Sequence, residues 1–164
     1  MLCCIFLIGS ILTSCVQGKA PNSSAIPTSS ADSSALQKNI TLKKDQISKD
    51  VVFRKTAAAD GEIVLTSDQI EKIEVKPSCT AQNSSIYDIT FYLTEASCKQ
   101  FAEASRKMAE ANGELSIWGK NGQVASGKVA DPIEGGIFVL SGFYSFEEAT
   151  QRLDSFCSDA DAIG

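Results

Sequence analysis

Residues 86–113 have the sequence IYDITFYLTEASCKQFAEASRKMAEANG, which contains the most regular strand and helix patterns of the chain. Over 86–93 apolar and more polar residues alternate, a period of two that predicts a half-buried strand. Over 95–111 a period of three to four residues predicts an amphipathic helix whose inner face is formed by Cys98, Phe101, Ser105, Met108 and Ala109. Asn112-Gly113 then ends the helix, because glycine accepts the left-handed backbone found there.

The regions before and after this strand and helix complete one predicted domain over 61–164. Asn121-Gly122 predicts a tight hairpin, since both residues accept positive φ. The other predicted elements are strands at 72–76, 115–118, 123–129 and 137–140 and a last helix from Phe146. The predicted order is β-β-α-β-β-β-α. It corresponds to an α+β fold with a mixed or antiparallel sheet and two main helices packed on one face.

The first 35 residues have the composition of an export signal followed by a tether. Residues 2–12 are apolar and uncharged but span only about 16 Å as a helix, roughly half a bilayer core, so we predict a signal peptide over 1–14. Leu12-Thr13-Ser14-Cys15 resembles the lipobox of bacterial lipoproteins, and this resemblance implies a lipid on Cys15. Residues 15–35 are rich in Ser, Ala, Pro and Asn, a composition typical of flexible tethers.

Charge is distributed unevenly along the chain. Residues 36–60 contain six Lys or Arg and three Asp, a net +3, whereas residues 61–164 contain eight basic and sixteen acidic residues, a net −8. The basic segment is predicted to be a linker, which is either solvated or placed against anionic lipid head groups. The acidic domain would repel phosphates, so we do not expect nucleic acid as a partner.

The residue types needed for common catalytic sites are missing from the sequence. The chain has no histidine, which removes histidine-based triads and the commonest general base and metal ligand. Glu147 and Glu148 are adjacent on the predicted last helix and point about 100° apart, so they would not share a proton. Their negative charge at the start of a helix explains them better. We therefore predict no enzymatic activity, no metal and no cofactor.

Three cysteines lie in the predicted domain, and export to an oxidising compartment allows them to form a disulfide. If the strands at 86–93 and 137–140 run parallel, Cys79 and Cys157 meet at one end of the domain. This arrangement predicts a Cys79–Cys157 bridge and leaves Cys98 as a buried free thiol. If the last helix runs in the other direction, a Cys98–Cys157 bridge replaces it.

Six short motifs occur in order over most of 61–157. They are Leu93-Thr94, Phe101-Ala102, Asn121-Gly122-Gln123-Val124, Pro132-Ile133-Glu134-Gly135-Gly136, Leu140-Ser141-Gly142-Phe143 and Glu147-Glu148-Ala149. Together they resemble the periplasmic P1 head subdomain of the protein-export subunit SecD. SecD also has transmembrane helices that couple proton flow to export, and we predict none here. The resemblance thus implies a head-like domain that contacts polypeptide, without the translocation activity.

Five aromatic residues cannot all be assigned to the core by periodicity, and these are Tyr87, Tyr92, Trp118, Phe143 and Tyr144. The candidates for partner binding are the last four. Partly exposed aromatic residues are frequent in interfaces, so we predict that they contribute to a partner-binding surface. Capping of the core edge is the alternative.

The predicted function is that of a non-catalytic module that binds a protein or peptide and is held in the cell envelope by lipid on Cys15. In a Gram-negative bacterium, Val16 after the cysteine is compatible with the outer membrane, facing the periplasm. Two alternatives remain open. One is an immunity or inhibitor lipoprotein that acts against an envelope toxin or enzyme, and the other is a structural accessory of a secretion or envelope machine.

Overall fold

The computed structural model describes residues 38–78 and 86–159 of the chain, and these residues form an α+β fold. The predicted fold class is confirmed. The strands are β1 (Ile40–Lys43), β2 (Val52–Lys55), β3 (Ile63–Thr66), β4 (Ile70–Pro77), β5 (Tyr87–Leu93), β6 (Glu114–Gly119), β7 (Gly122–Lys128) and β8 (Ile137–Phe143), and the helices are α1 (Glu95–Glu110) and α2 (Phe146–Asp154).

The described strands form two sheets, and every pair of neighbouring strands is antiparallel. The first sheet has the order β1-β4-β5-β8 and the second has the order β3-β2-β6-β7. The predicted hairpin at Asn121-Gly122 joins β6 to β7 within the second sheet. The expectation of one sheet is replaced by two sheets with a common core between them.

β5 and β8 run antiparallel, so the parallel arrangement considered for 86–93 and 137–140 is wrong. The physical reason is the path of residues 129–136, which run back along α1 toward its start. The N–H of Val129 donates to the carbonyl of Gly113 (3.0 Å), and the N–H of Ile133 donates to the hydroxyl of Ser105 (2.9 Å). The chain thus reaches β8 at the end of β5 and must reverse direction.

The fold begins earlier than the sequence predicts. β1 pairs with β4 and β2 pairs with β3 and β6, so the described residues from 40 to 60 belong to the domain and are not a linker. Val51 and Phe53 are fully buried, whereas Lys43, Lys44 and Lys49 are exposed. The positive charge of this segment therefore lies on the surface of a folded region.

Phe53 occupies the centre of the core between the two sheets. Its ring packs edge to face against Phe91 (5.4 Å between centroids), Phe101 (5.9 Å) and Phe138 (5.4 Å). Phe91 also packs against Phe156, which follows α2, at 5.2 Å. These rings connect β2 of the second sheet to β5 and β8 of the first sheet, to α1 and to the segment that follows α2.

Both predicted helices are present. Asn112, with φ of +49°, takes the left-handed position after α1, ahead of Gly113. The hydroxyl of Ser145 caps α2 by accepting a hydrogen bond from the N–H of Glu148 (3.0 Å), and Glu147 and Glu148 lie in the first turn as expected. No helix in the described part of the chain has the length and apolar character needed to cross a membrane.

Candidate binding surface

The four aromatic residues predicted for partner binding do not form one site. Tyr92 lies on the outer face of the first sheet, because its neighbours Phe91 and Leu93 point into the core. Trp118 follows buried Ile117 on β6, so it lies on the outer face of the second sheet, where its indole N–H donates to the hydroxyl of Ser116 (2.8 Å). Since the core separates the sheets, Tyr92 and Trp118 face opposite sides of the molecule.

Phe143 and Tyr144 have different environments despite being adjacent. Gly142, with φ of +101°, lies at a register shift where Phe143 pairs with Tyr87 while Ser141 pairs with Asp88. The extra residue turns Phe143 toward the core, against which it packs. Tyr144 is 76% exposed in the turn before α2. The four residues therefore do not lie on one surface, and a role for each of them in partner binding stays a prediction.

The structure instead places Tyr92 beside two exposed aliphatic residues of β8. Ile137 pairs directly with Tyr92, and Val139 pairs with Thr90 on the same outer face. Ile137 is 48% exposed and Val139 is 38% exposed. We call Tyr92, Ile137 and Val139 the β8 patch. Exposed apolar side chains are ordinary singly, but here two lie on one sheet face beside the partly buried ring of Tyr92.

β8 is an edge strand of the first sheet, and its sequence is unusual for that position. Natural edge strands are commonly protected by charge, short length or bulges. Among the described edge strands, β1 contains Lys43, β7 contains Lys128, and β3 has only four residues. β8 has seven residues and no charge, and its register shift at Gly142 lies only at the end of the strand, beyond 137–140. The apolar run at 137–140 is typical of a strand covered on both faces, yet half of it is exposed.

A polar cluster borders the β8 patch on the same outer face. The ammonium of Lys72 donates to Glu74 (2.6 Å) and lies 4.3 Å from the ring centroid of Tyr92. The ammonium of Lys76 donates to the hydroxyl of Tyr92 (2.8 Å). Tyr92 therefore joins the apolar patch to this cluster and is held in place by it.

Glu74 stays ionised more readily than an ordinary glutamate. Partial burial opposes ionisation, but hydrogen bonds from Lys72 and Tyr92 and the charges of Lys72 and Lys76 outweigh it and lower the pKa of Glu74. Because the folded-state pKa is lowered, the carboxylate stabilises the fold at neutral pH. This contribution is complete above the ordinary pKa of about 4.3 and is lost as the pH falls through the lowered value.

We predict that Glu74→Gln lowers the free energy of unfolding by about 0.5–1 kcal/mol at neutral pH, since the Lys72 and Lys76 charges lose their partner. The difference from the wild type should shrink as the pH falls below about 4. Urea unfolding across this pH range measures it. Glu71→Gln on the exposed side of the same strand is the control and should have little effect. A difference that does not change with pH would contradict the assigned role.

Two buried oxygens lie beneath the polar cluster and the β8 patch. Asp88 Oδ1 and Thr90 Oγ1 have no hydrogen-bond partner within the described residues. Both side chains are on the outer face, where Asp88 pairs with Ser141 and Thr90 pairs with Val139. Buried polar groups without partners are uncommon, so the hydrogen-bonding capacity of this part of the sheet is less completely used than in an ordinary core region.

The cysteines occupy distinct places. Cys98 is a half-buried free thiol that donates to the carbonyl of Thr94 (3.2 Å), so the Cys98–Cys157 bridge is not formed. Cys157 is buried at the end of α2, next to Ile47. Cys79 lies outside the described residues. The Cys79–Cys157 bridge therefore stays a prediction, although the parallel strand arrangement from which it was argued is absent.

The remaining predicted site residue, Cys15, also lies outside the described residues, and its lipid stays a prediction. Within the described ranges, no group of three or more Cys, Asp or Glu side chains is placed to hold a metal ion. A shallow depression of about 560 Å³ lies along the solvent face of α1, where Lys99, Glu103, Arg106, Lys107 and Glu110 line it. These are charged side chains of one helix face, as expected of a solvated surface.

Comparison with protein-family models, curated proteins and solved structures finds no match to this chain. The resemblance to the SecD P1 head subdomain and the lipoprotein assignment therefore stay predictions that rest on the sequence motifs.

Proposed function

We propose that this protein is a lipid-anchored module of the cell envelope that binds a protein or peptide and catalyses no reaction. The observation that carries the proposal is the β8 patch, because its apolar side chains are exposed on a strand whose composition suits a covered position. The lipobox-like residues before Cys15 support the anchor. The lack of histidine supports a role in binding.

The polar cluster gives this surface the mixed character that transient interfaces share. An apolar centre supplies contact area, and a charged border supplies orientation and exclusion of wrong partners. Tyr92 belongs to both parts, since Ile137 is its cross-strand neighbour and Lys76 donates to its hydroxyl. Tyrosine suits such a place because it is apolar along the ring and polar at its tip.

The proposal is tested by a crosslinked pull-down from the native envelope. Wild type is compared with Cys15→Ala, which removes the lipid site, and with Ile137→Lys, which places a charge in the β8 patch. Ile63→Lys is the matched control, because Ile63 is 46% exposed on β3 of the second sheet. We expect wild type and Ile63→Lys to capture the same dominant partner and both other variants to lose it.

The identity of the captured protein separates the more specific roles. A stable one-to-one complex with a toxin or enzyme would indicate an immunity or inhibitor lipoprotein, whereas a large assembly would indicate an accessory subunit of an envelope machine. Capture of the same proteins by Ile137→Lys as by wild type would show that the β8 patch is not the binding surface. No partner in any form would contradict the proposed binding function.

A further inference from the structure

Among the described residues, no strand pairs with the side of β8 that faces away from β5. A hydrogen bond at the end of β5 shows which β8 backbone groups lie on that side. The N–H of Leu93 donates to the carbonyl of Gly136 (2.8 Å), so the backbone groups of Leu93 point toward β8. In an antiparallel ladder this direction alternates along each strand. The β8 groups that point away from β5 therefore belong to Ile137, Val139 and Ser141, at the positions paired with Tyr92, Thr90 and Asp88.

The same three residues expose both their backbone edge and their side chains. Ile137 and Val139 are the exposed apolar members of the β8 patch, and Ser141 is exposed as well. A peptide strand placed along this edge would form backbone hydrogen bonds with them, and its alternate side chains would lie beside Ile137 and Val139. The backbone bonds would supply affinity, and the neighbouring side chains would supply selectivity for apolar, β-branched residues.

We propose that β8 binds an extended peptide of its partner as a fifth strand of the first sheet, and that this peptide has apolar alternate residues between basic ends. The proposal rests on the proposed binding function and specifies its site and ligand class. It follows from the uncharged β8 edge and from the acidic residues that flank that edge.

The charges around β8 favour basic ends on the peptide. Glu134 precedes the strand and Glu147 follows it, and both side chains are exposed. Each has one exposed basic neighbour, Arg106 at 3.3 Å from Glu134 and Lys38 at 3.7 Å from Glu147. Exposed pairs of this kind are weak and exchange readily, so both carboxylates remain able to attract Lys or Arg side chains of a bound peptide.

The same charges disfavour a second copy of the chain on this edge. In a two-fold antiparallel arrangement centred on Leu140, Ile137 of one copy opposes Phe143 of the other. Glu134 of one copy would then oppose Phe146 of the other, next to its Glu147, and the same contact would recur at the other end. Each end of the interface would place acid beside acid, in a chain with net charge −5.

The test uses the purified full-length protein and two fluorescent nine-residue peptides. Both have alternating Val and Thr in the centre, and one has Lys residues at its ends while the other has Glu residues. We expect the basic peptide to bind at least about tenfold more tightly than the acidic one. Amide hydrogen exchange should show new protection at Val139 and Ser141 when the basic peptide is added.

Val139→Pro is the decisive variant, and Val139→Thr is its matched control. Proline removes the outward N–H without breaking a bond to β5, and edge strands tolerate proline at such positions. Threonine keeps both the N–H and the branched side chain. We expect Val139→Pro to weaken basic-peptide binding about tenfold or more and Val139→Thr to stay within about threefold of wild type. Circular dichroism checks that the variant folds. If Val139→Pro does not fold, the hydrogen-exchange measurement on the wild type still tests the proposal.

Three results would overturn the proposal. The first is that both peptides bind equally, or that neither binds at millimolar concentration. The second is that the basic peptide adds no hydrogen-exchange protection at Val139 and Ser141. The third is that the free protein forms a concentration-dependent dimer, which Val139→Pro abolishes. The last result would identify a second copy as the occupant. If these tests fail while the native pull-down still depends on Ile137, strand addition is wrong and the proposed binding function stands.

Discussion

Replacing Phe53 by alanine is expected to lower the free energy of unfolding by about 3–5 kcal/mol. The side chain is fully buried on β2 of the second sheet, and its ring contacts Phe91 and Phe138 of the first sheet and Phe101 of α1. Removal would leave a cavity lined by rings that already pack against other residues and cannot all move inward. Because most domains have only about 5–15 kcal/mol of stability, the variant should be close to unfolding.

Denaturant unfolding of wild type and Phe53→Ala measures this loss, and Phe143→Ala is the matched control. Phe143 is also a phenylalanine packed against the core, but it is only half-buried at the end of β8. Phe143→Ala should lower the free energy of unfolding clearly less than Phe53→Ala does. Equal losses in the two variants would show that β2 does not contribute to the central core as the structure indicates.

The second large effect is expected at the contact between β6 and the end of α2. A Cβ on residue 119 would overlap the backbone carbonyl of Ser155, whose oxygen accepts a hydrogen bond from the N–H of Lys120 (3.0 Å). The added Cβ is fixed by the backbone of residue 119, and the Ser155 carbonyl is itself backbone. Neither group can move aside by changing a side-chain rotamer. We predict that Gly119→Ala lowers the free energy of unfolding by about 3 kcal/mol.

Lys120→Ala separates this backbone contact from the ion pairs beside it. Lys120 lies 3.6 Å from Asp154 and 3.9 Å from Asp159, and both pairs are lost in this variant while the backbone contact is kept. We expect a loss of at most about 1 kcal/mol. Thermal or denaturant unfolding of both variants is the measurement. A Gly119→Ala protein as stable as the wild type would mean that β6 and α2 are less closely packed.

Local sequence signals predicted the elements that are stabilised locally. The period of α1 over sixteen residues, the capping residues of α2 and the Asn121-Gly122 turn each act over a few positions, and all three elements are present. β1 and β2 lacked such signals. Their apolar residues are sparse within a basic segment, and β2 lies between nearby β3 and β6, which is sixty or more residues later in the chain.

The direction of β8 and the position of the candidate site are also determined by contacts between residues that are distant in the sequence. The path of residues 129–136 along α1 is set by tertiary contacts such as Ile133 N–H to Ser105, which no local period indicates. Tyr92 was predicted as a surface residue. Ile137 and Val139 were not, because in a uniformly apolar run nothing distinguishes the exposed members from the buried ones.

The positions of β1 and β8 at opposite edges of the first sheet determine which edge of the domain would face away from its anchor. The described chain enters the first sheet at β1, and β8 closes the opposite edge, three interstrand spacings or about 14 Å away. If the protein is held through its N-terminal region as we propose, tension on that region loads β1 and leaves the far edge unloaded. The domain would then be oriented with β8 on the side that faces away from the membrane.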